Sequence, residues 1–143
     1  MNERTKHLIQ AVQSAALSAV EPAGAIHRHL CRKEDILVVA DRHYDLAQFE
    51  HVWIAGGGKA AAPMVAALVE LLGDWLTGGV AVTKYGHADT EQETAPVTLV
   101  EAGHPVPDAA GLAGARQLAE LVEHAGPHDL ILCPLSGGGS ALL

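Results

Sequence analysis

Two glycine triplets set the limits on what this chain can fold into. Ile54-Ala55-Gly56-Gly57-Gly58-Lys59-Ala60 and Leu135-Ser136-Gly137-Gly138-Gly139-Ser140-Ala141 repeat one pattern, three glycines followed by a polar residue and an alanine. A glycine inside a helix or strand costs roughly 0.5–1 kcal/mol relative to alanine, so three in succession mark a turn. The first triplet lies between a strand-like run, His51-Val52-Trp53-Ile54-Ala55, and a helical stretch from Lys59 to Leu72 that Gly73 closes. The second follows another apolar run, Leu130-Ile131-Leu132-Cys133. Strand, glycine turn and helix make the repeating unit of a parallel sheet. Both turns then fall at the carboxyl edge, where such sheets bind ligands. The sequence stops three residues after Ser140, so the helix expected there is missing and the chain reads as incomplete at its C-terminus.

The rest of the pattern agrees. From Thr5 to Val20 the apolar residues Leu8, Ile9, Val12, Ala15, Ala16, Ala19 and Val20 recur at helical spacing. Glu21-Pro22 ends that helix, and Pro22 suits the first turn of a second one reaching about Leu30. Ile36 to Ala40, Val80 to Thr83 and Val97 to Val100 are strand-like. Asp108 to about His124 reads as a helix, with Asp108 placed to cap it and Leu112, Ala115, Leu118, Ala119 and Val122 on one face. Strands alternating with helices predict an α/β fold with a mostly parallel sheet. No low-complexity linker divides the chain. The last strand, Leu130 to Cys133, is expected at the centre of the sheet with one face uncovered. Exposed apolar surface, and aggregation or partial disorder, should follow.

Composition narrows the partners. The 143 residues are 49 % hydrophobic but only 3 % aromatic, so Ala, Val and Leu fill the core. A net charge of −8 argues against nucleic acid, which needs a basic face. It leaves anionic small molecules open, because a helix N-terminus and one or two lysines suffice for those. Cys31 and Cys133 have no CxxC spacing and fit reduced thiols in the cytoplasm. Met1 to His7 carries no apolar signal segment. The longest apolar run, Ala60 to Val69, is too short to span a bilayer.

The chemistry gathers in the loops after strands. Glycine turns let backbone N–H groups approach a phosphate or carboxylate closely. A lysine at a helix N-terminus opposes the helix dipole, so Lys59 implies that an anion is expected there. Neither familiar nucleotide motif fits well. A Walker A loop would need glycine at Trp53 and Ser or Thr at Ala60. The dinucleotide fingerprint is met by Gly56, Gly58 and Ala61, yet Thr83-Lys84 stand where an acidic residue should hold the ribose. A lysine there still admits a 2′-phosphate, which keeps an NADP enzyme open. Lys84 and His87, in Thr83-Lys84-Tyr85-Gly86-His87, and His104, in Glu101-Ala102-Gly103-His104-Pro105-Val106-Pro107-Asp108, are further candidates for the same cleft. His27 and His29 point apart on a helix, and no His or Cys cluster has zinc spacing.

Read in order, Ala55 to Ala61, Val82 to His87, Glu101 to Asp108 and Leu135 to Ala141 resemble the N-terminal domain of the glycerate 2-kinase family. These are the MOFRL-type glycerate kinases, some of which carry hydroxypyruvate reductase names. The resemblance covers about Val52 to Leu143. It implies a Rossmann-like sheet with flanking helices, of which residues 1–143 are the N-terminal part. The remainder of that large domain and the C-terminal MOFRL domain would lie outside this chain. It implies transfer of the γ-phosphoryl group of ATP to the 2-hydroxyl of D-glycerate with Mg²⁺, in the cleft between the two domains. Lys59 falls on the family's active-site lysine. Gly56, Gly57, Gly58, Ser136, Gly137, Gly138, Gly139 and Ser140 fall on loops expected to hold phosphate or the substrate carboxylate. Backbone N–H groups of both turns would do the holding. No metal carboxylate stands out for magnesium: Asp108 and Glu101 are options, and ligands in the part outside this chain are the alternative. The full-length protein is open to homodimerisation, and this chain alone is expected to be inactive. An NAD(P)-dependent hydroxypyruvate reductase and a non-catalytic nucleotide- or anion-binding remnant are the alternatives.

Overall fold

The computed structural model describes residues 1–88 and 94–143. Helix α1 (Glu3–Ala19) starts at Asn2, whose side chain accepts the Thr5 N–H at 2.8 Å. Its apolar residues recur at helical spacing, yet none is buried, and Leu8, Ile9, Val12 and Leu17 stand in solvent. Helix α2 (Pro22–His29) has the expected proline in its first turn, and Glu21 caps it. Three short antiparallel strands follow, β1 (Leu30–Lys33), β2 (Ile36–Val39) and β3 (Arg42–Asp45), in a small sheet of their own. The run from Ile36 is therefore the middle strand of this sheet rather than part of the parallel one.

The main body comprises β4 (His51–Gly57), α3 (Ala61–Leu72), β5 (Gly78–Lys84), β6 (Val97–Ala102), α4 (Ala109–His124) and β7 (Asp129–Leu132). Its strands run in the order β6-β5-β4-β7, with every neighbouring pair parallel. The pleat sends successive residues to opposite faces. On β5, Ala81 joins the cluster that holds Val65, Leu68 and Leu72 of α3, whereas Val82 packs with Val100 and with Leu118 of α4. The two helices thus cover opposite faces of one sheet. Burying an aliphatic side chain as fully as Val65 or Leu72 contributes roughly 1.5–3 kcal/mol. Gly114 brings α4 close to the sheet, since a Cβ there would lie 2.6 Å from Val82.

β4 pairs with β5 on one side and with β7 on the other. The chain leaves β4 toward β5 and β6, then returns through α4 to the far side of β4. Strand order reverses there, and the carboxyl ends of β4 and β7 open a crevice of the kind that binds ligands in open α/β sheets. Among the described residues β7 pairs with β4 alone, at one end of the strand order and not at the centre where the sequence suggested it. Nor is the helix after the second triplet wholly absent. A single turn, α5 (Gly139–Leu142), buries Leu142 beside Val82 and Ala102.

Asp129 anchors the start of β7. Its Oδ1 lies 2.8 Å from His51 Nδ1 on β4, and its Oδ2 accepts the Gly126 N–H at 2.8 Å. The Gly126 N–H, and after it the His51 ring, hold the Asp129 carboxyl below its ordinary value. A carboxyl depressed in the folded state stabilises the fold above the unfolded pKa, and that contribution is lost as pH falls through the folded value. Asp129→Asn should therefore lose less of its urea midpoint than the parent as pH falls through and below the ordinary carboxylate range, about pH 4. An identical loss would mean that the carboxylate adds nothing to stability.

Thr83, near the end of β5, is fully buried, and its hydroxyl has no hydrogen-bond partner among the described residues. An unsatisfied buried hydroxyl costs about 1–3 kcal/mol. Thr83→Val is expected to leave stability unchanged or raise it by about 1 kcal/mol in urea unfolding. A loss of that size would reveal a partner for the hydroxyl in solution.

Candidate functional site at the switch point

The carboxyl ends of β4 and β7 are joined by hydrogen bonds. Gly57 makes a lone parallel bridge to Leu135. Its N–H donates to Pro134 O at 3.0 Å, and its carbonyl accepts the Ser136 N–H at 3.0 Å. Two residues on, the Lys59 N–H donates to Gly137 O at 3.0 Å, and the Ala60 N–H donates to Ser136 Oγ at 3.0 Å. The Gly58 N–H turns toward β5 and donates to Val82 O at 3.0 Å. Only glycine permits this approach. A Cβ on Gly58, where φ is +124°, would sit 2.2 Å from Ser136 Oγ, and one on Gly56 would sit 2.7 Å from Pro134.

This seam separates the roles of the two triplets. Ala60 is the N-cap of α3 and has no capping side chain, so Ser136 supplies the hydroxyl from 76 residues away. The N–H groups of Gly57, Gly58, Lys59 and Ala60 are committed to protein acceptors. They do not form the anion cradle that the sequence suggested for the first turn. In the second turn, the N–H groups of Gly137, Gly138, Gly139 and Ser140 have no acceptor among the described residues. The first loop contributes the Lys59 side chain, and the second contributes open N–H groups.

Lys59 is the point on which the loops converge. Its side chain is exposed and has no ion-pair partner among the described residues. Its carbonyl accepts a hydrogen bond from His87 Nδ1 at 3.0 Å. Gly138, at φ +95°, separates Lys59 from His104: a Cβ there would lie 3.1 Å from the imidazole and 3.2 Å from Lys59 Cγ. Gly56 to Lys59, His87, His104 and Ser136 to Gly138 are thereby brought together. Lys84 is half-buried at the end of β5 and Ser140 is exposed on α5; neither has a hydrogen bond or ion pair that ties it to Lys59.

The acidic residues nearby hold loops. Glu101 Oε1 accepts the Gly86 N–H at 2.6 Å. Asp108 caps α4 through the Gly111 N–H at 3.0 Å and accepts the Tyr85 hydroxyl at 2.9 Å. The Gly111 N–H, with that of Gly103 and the Tyr85 hydroxyl, holds the Asp108 carboxyl below its usual value, while the same hydrogen bond raises Tyr85. Among the described residues no three His, Cys, Asp or Glu side chains form a group that could hold a metal ion. Sequence reasoning missed Pro134, whose buried ring and carbonyl pack against Gly56 and Gly57, and Tyr85, which ties its loop to α4. A proline directly after an apolar run was the available signal, because it ends the ladder there.

The profile of a domain family described as a domain of unknown function, DUF4147, matches residues 8–143. The chain belongs to that family. It is 32 % identical over 127 residues to a glycerate 2-kinase of Pyrococcus horikoshii, which covers 89 % of this chain and 27 % of the relative. It is 43 % identical over 93 residues to a D-glycerate 2-kinase of Thermotoga maritima, covering 65 % of this chain and 22 % of that protein. A crystal structure of a Pyrococcus horikoshii protein superimposes with a TM-score of 0.83 at 31 % identity, over 100 % of this chain and 31 % of that one. The resemblance read from the four loops thus agrees with the relatives' names, although two relatives from Agrobacterium vitis carry a hydroxypyruvate reductase name. The chain spans between a fifth and a third of the length of these proteins. Among the described residues no helix is long and apolar enough to cross a membrane.

Proposed function

We propose that residues 1–143 form the N-terminal part of the large α/β domain of a cytoplasmic, ATP-dependent D-glycerate 2-kinase. The observation that carries this reading is the convergence of four motif segments on Lys59, at the point where strand order reverses. Phosphoryl transfer relies on positioning and charge neutralisation more than on covalent chemistry by the protein. Lys59 neutralises charge on the transferred group or on the glycerate carboxylate. The open N–H groups from Gly137 to Ser140 receive phosphate or carboxylate oxygens. Glu101 and Asp108 hold loops by hydrogen bonds, and among the described residues no three His, Cys, Asp or Glu side chains gather into a metal group, so no step is assigned to the ion here. Magnesium commonly takes much of its coordination from substrate phosphates and water.

The test is a chimera in which residues 1–143 replace the matching segment of the Pyrococcus horikoshii glycerate 2-kinase. ADP release that depends on D-glycerate supports the reading. NADPH oxidation with hydroxypyruvate and without ATP would replace it with the reductase. Chain 1–143 alone is expected to show neither activity.

A further inference from the structure

We infer that His87 is a positioning residue for Lys59 and not a ligand-binding residue in its own right. This rests on the functional reading above, in which Lys59 meets a phosphate or carboxylate. The partner of His87 Nδ1 is a backbone carbonyl, 3.0 Å away. A carbonyl only accepts, so Nδ1 must carry the proton, and in the neutral ring Nε2 is bare.

That bond completes a clamp. The N–H of Lys59 is held by Gly137 O from the second glycine loop, and its carbonyl is held by His87 from the loop after β5. Both peptide groups of one residue are fixed by two loops that are distant in sequence. The side-chain stem passes beside Gly138, where a Cβ would lie 3.2 Å from Lys59 Cγ. Lys59 is a long, flexible cation whose ordering would otherwise be left to the ligand. Ala60 gives the turn no capping side chain of its own, so the loops that grip Lys59 fix its direction. His87 acts by removing freedom from the lysine before an anion arrives.

The geometry makes a sharp substitution test. The side-chain nitrogen of asparagine occupies the place of Nδ1, one bond from Cγ, and can donate to the same carbonyl. The nitrogen of glutamine lies one bond farther out, nearer the place of Nε2. Chain 1–143 is titrated with inorganic tripolyphosphate by calorimetry. His87→Asn is expected to bind within about twofold of the parent, while His87→Gln and His87→Ala bind about tenfold more weakly, the loss of one hydrogen bond. Lys59→Ala with His87→Ala should be no weaker than Lys59→Ala alone, because the histidine acts through the lysine. Long-range ¹H–¹⁵N spectra of the ligand-free chain should show neutral His87 protonated at Nδ1.

His87→Asn as weak as His87→Ala would mean that the ring itself touches the anion, and would overturn the inference. So would additive losses in the double variant, or an Nε2–H tautomer. Absence of tripolyphosphate binding by the parent chain, with the Nδ1–H tautomer present, would overturn the functional reading and leave the hold of His87 on Lys59 standing. The tautomer, read without ligand, tells the two failures apart.

Discussion

Lys59→Ala in the chimera is expected to lower glycerate-dependent turnover by about 10³-fold, the scale on which a single cation acts in phosphoryl transfer. The side chain is exposed and has no ion-pair partner among the described residues, so removing it takes nothing from the core. The backbone bonds of residue 59 to Gly137 and His87 do not involve that side chain. Thermal unfolding should therefore stay within about 0.5 kcal/mol of the parent, as for most surface changes. Steady-state assay of ADP release and a melt on the same preparation check both halves. Turnover within tenfold of the parent would remove Lys59 from the reaction.

Gly58→Ala is expected to cost this fold several kcal/mol for a single methyl group. Its φ of +124° is strained for any L side chain. The new Cβ would also press within 2.2 Å of Ser136 Oγ and 2.6 Å of the Ser136 carbonyl oxygen. Backbone strain of about 1–3 kcal/mol adds to overpacking of about 1–3 kcal/mol. A loss near 4 kcal/mol in urea unfolding follows, with the melting temperature falling by roughly 10 °C or more. Gly137→Ala is the matched control, because nothing lies within 4 Å of its Cβ position. Equal stability of the two variants would mean that the seam between the loops is absent in solution.

The sequence announced the parallel sheet because its signals are local. Apolar runs at β4 to β7 and the 3.6-residue pattern of α3 and α4 each lie within one element, and Asp108 caps α4 as expected. The small sheet was only partly visible. β1 and β3, Leu-Cys-Arg-Lys and Arg-His-Tyr-Asp, are short and polar. The turns that join them to β2 place Glu34 and Ala40 at positive φ, where glycine or asparagine would have advertised a hairpin. The site was legible as a set of loops and illegible as a set of roles. Nothing around Ala60 says that its N–H is capped by Ser136, because that fact exists only once β4 and β7 are side by side. The likeness of the two triplets was misleading for the same reason: the first commits its N–H groups to Pro134, Val82 and Gly137, and the second leaves its own open. The place of β7 at one end of the strand order was equally beyond local pattern, since an end and a centre can share the same apolar run.

That exchange between Ala60 and Ser136 has a consequence for the order of folding. Closing a 76-residue separation is a late event for a chain, since the entropy lost in closing the loop is not recovered until the distant contact forms. β1 to β3, α2 and α3 share one cluster, against which Leu130 and Leu132 of β7 are only partly buried. A chain in which β7 has not reached β4 lacks the Gly137 half of the clamp on Lys59. Full anion affinity at Lys59 is therefore expected to need that closure, and a bound triphosphate should slow unfolding by holding it shut.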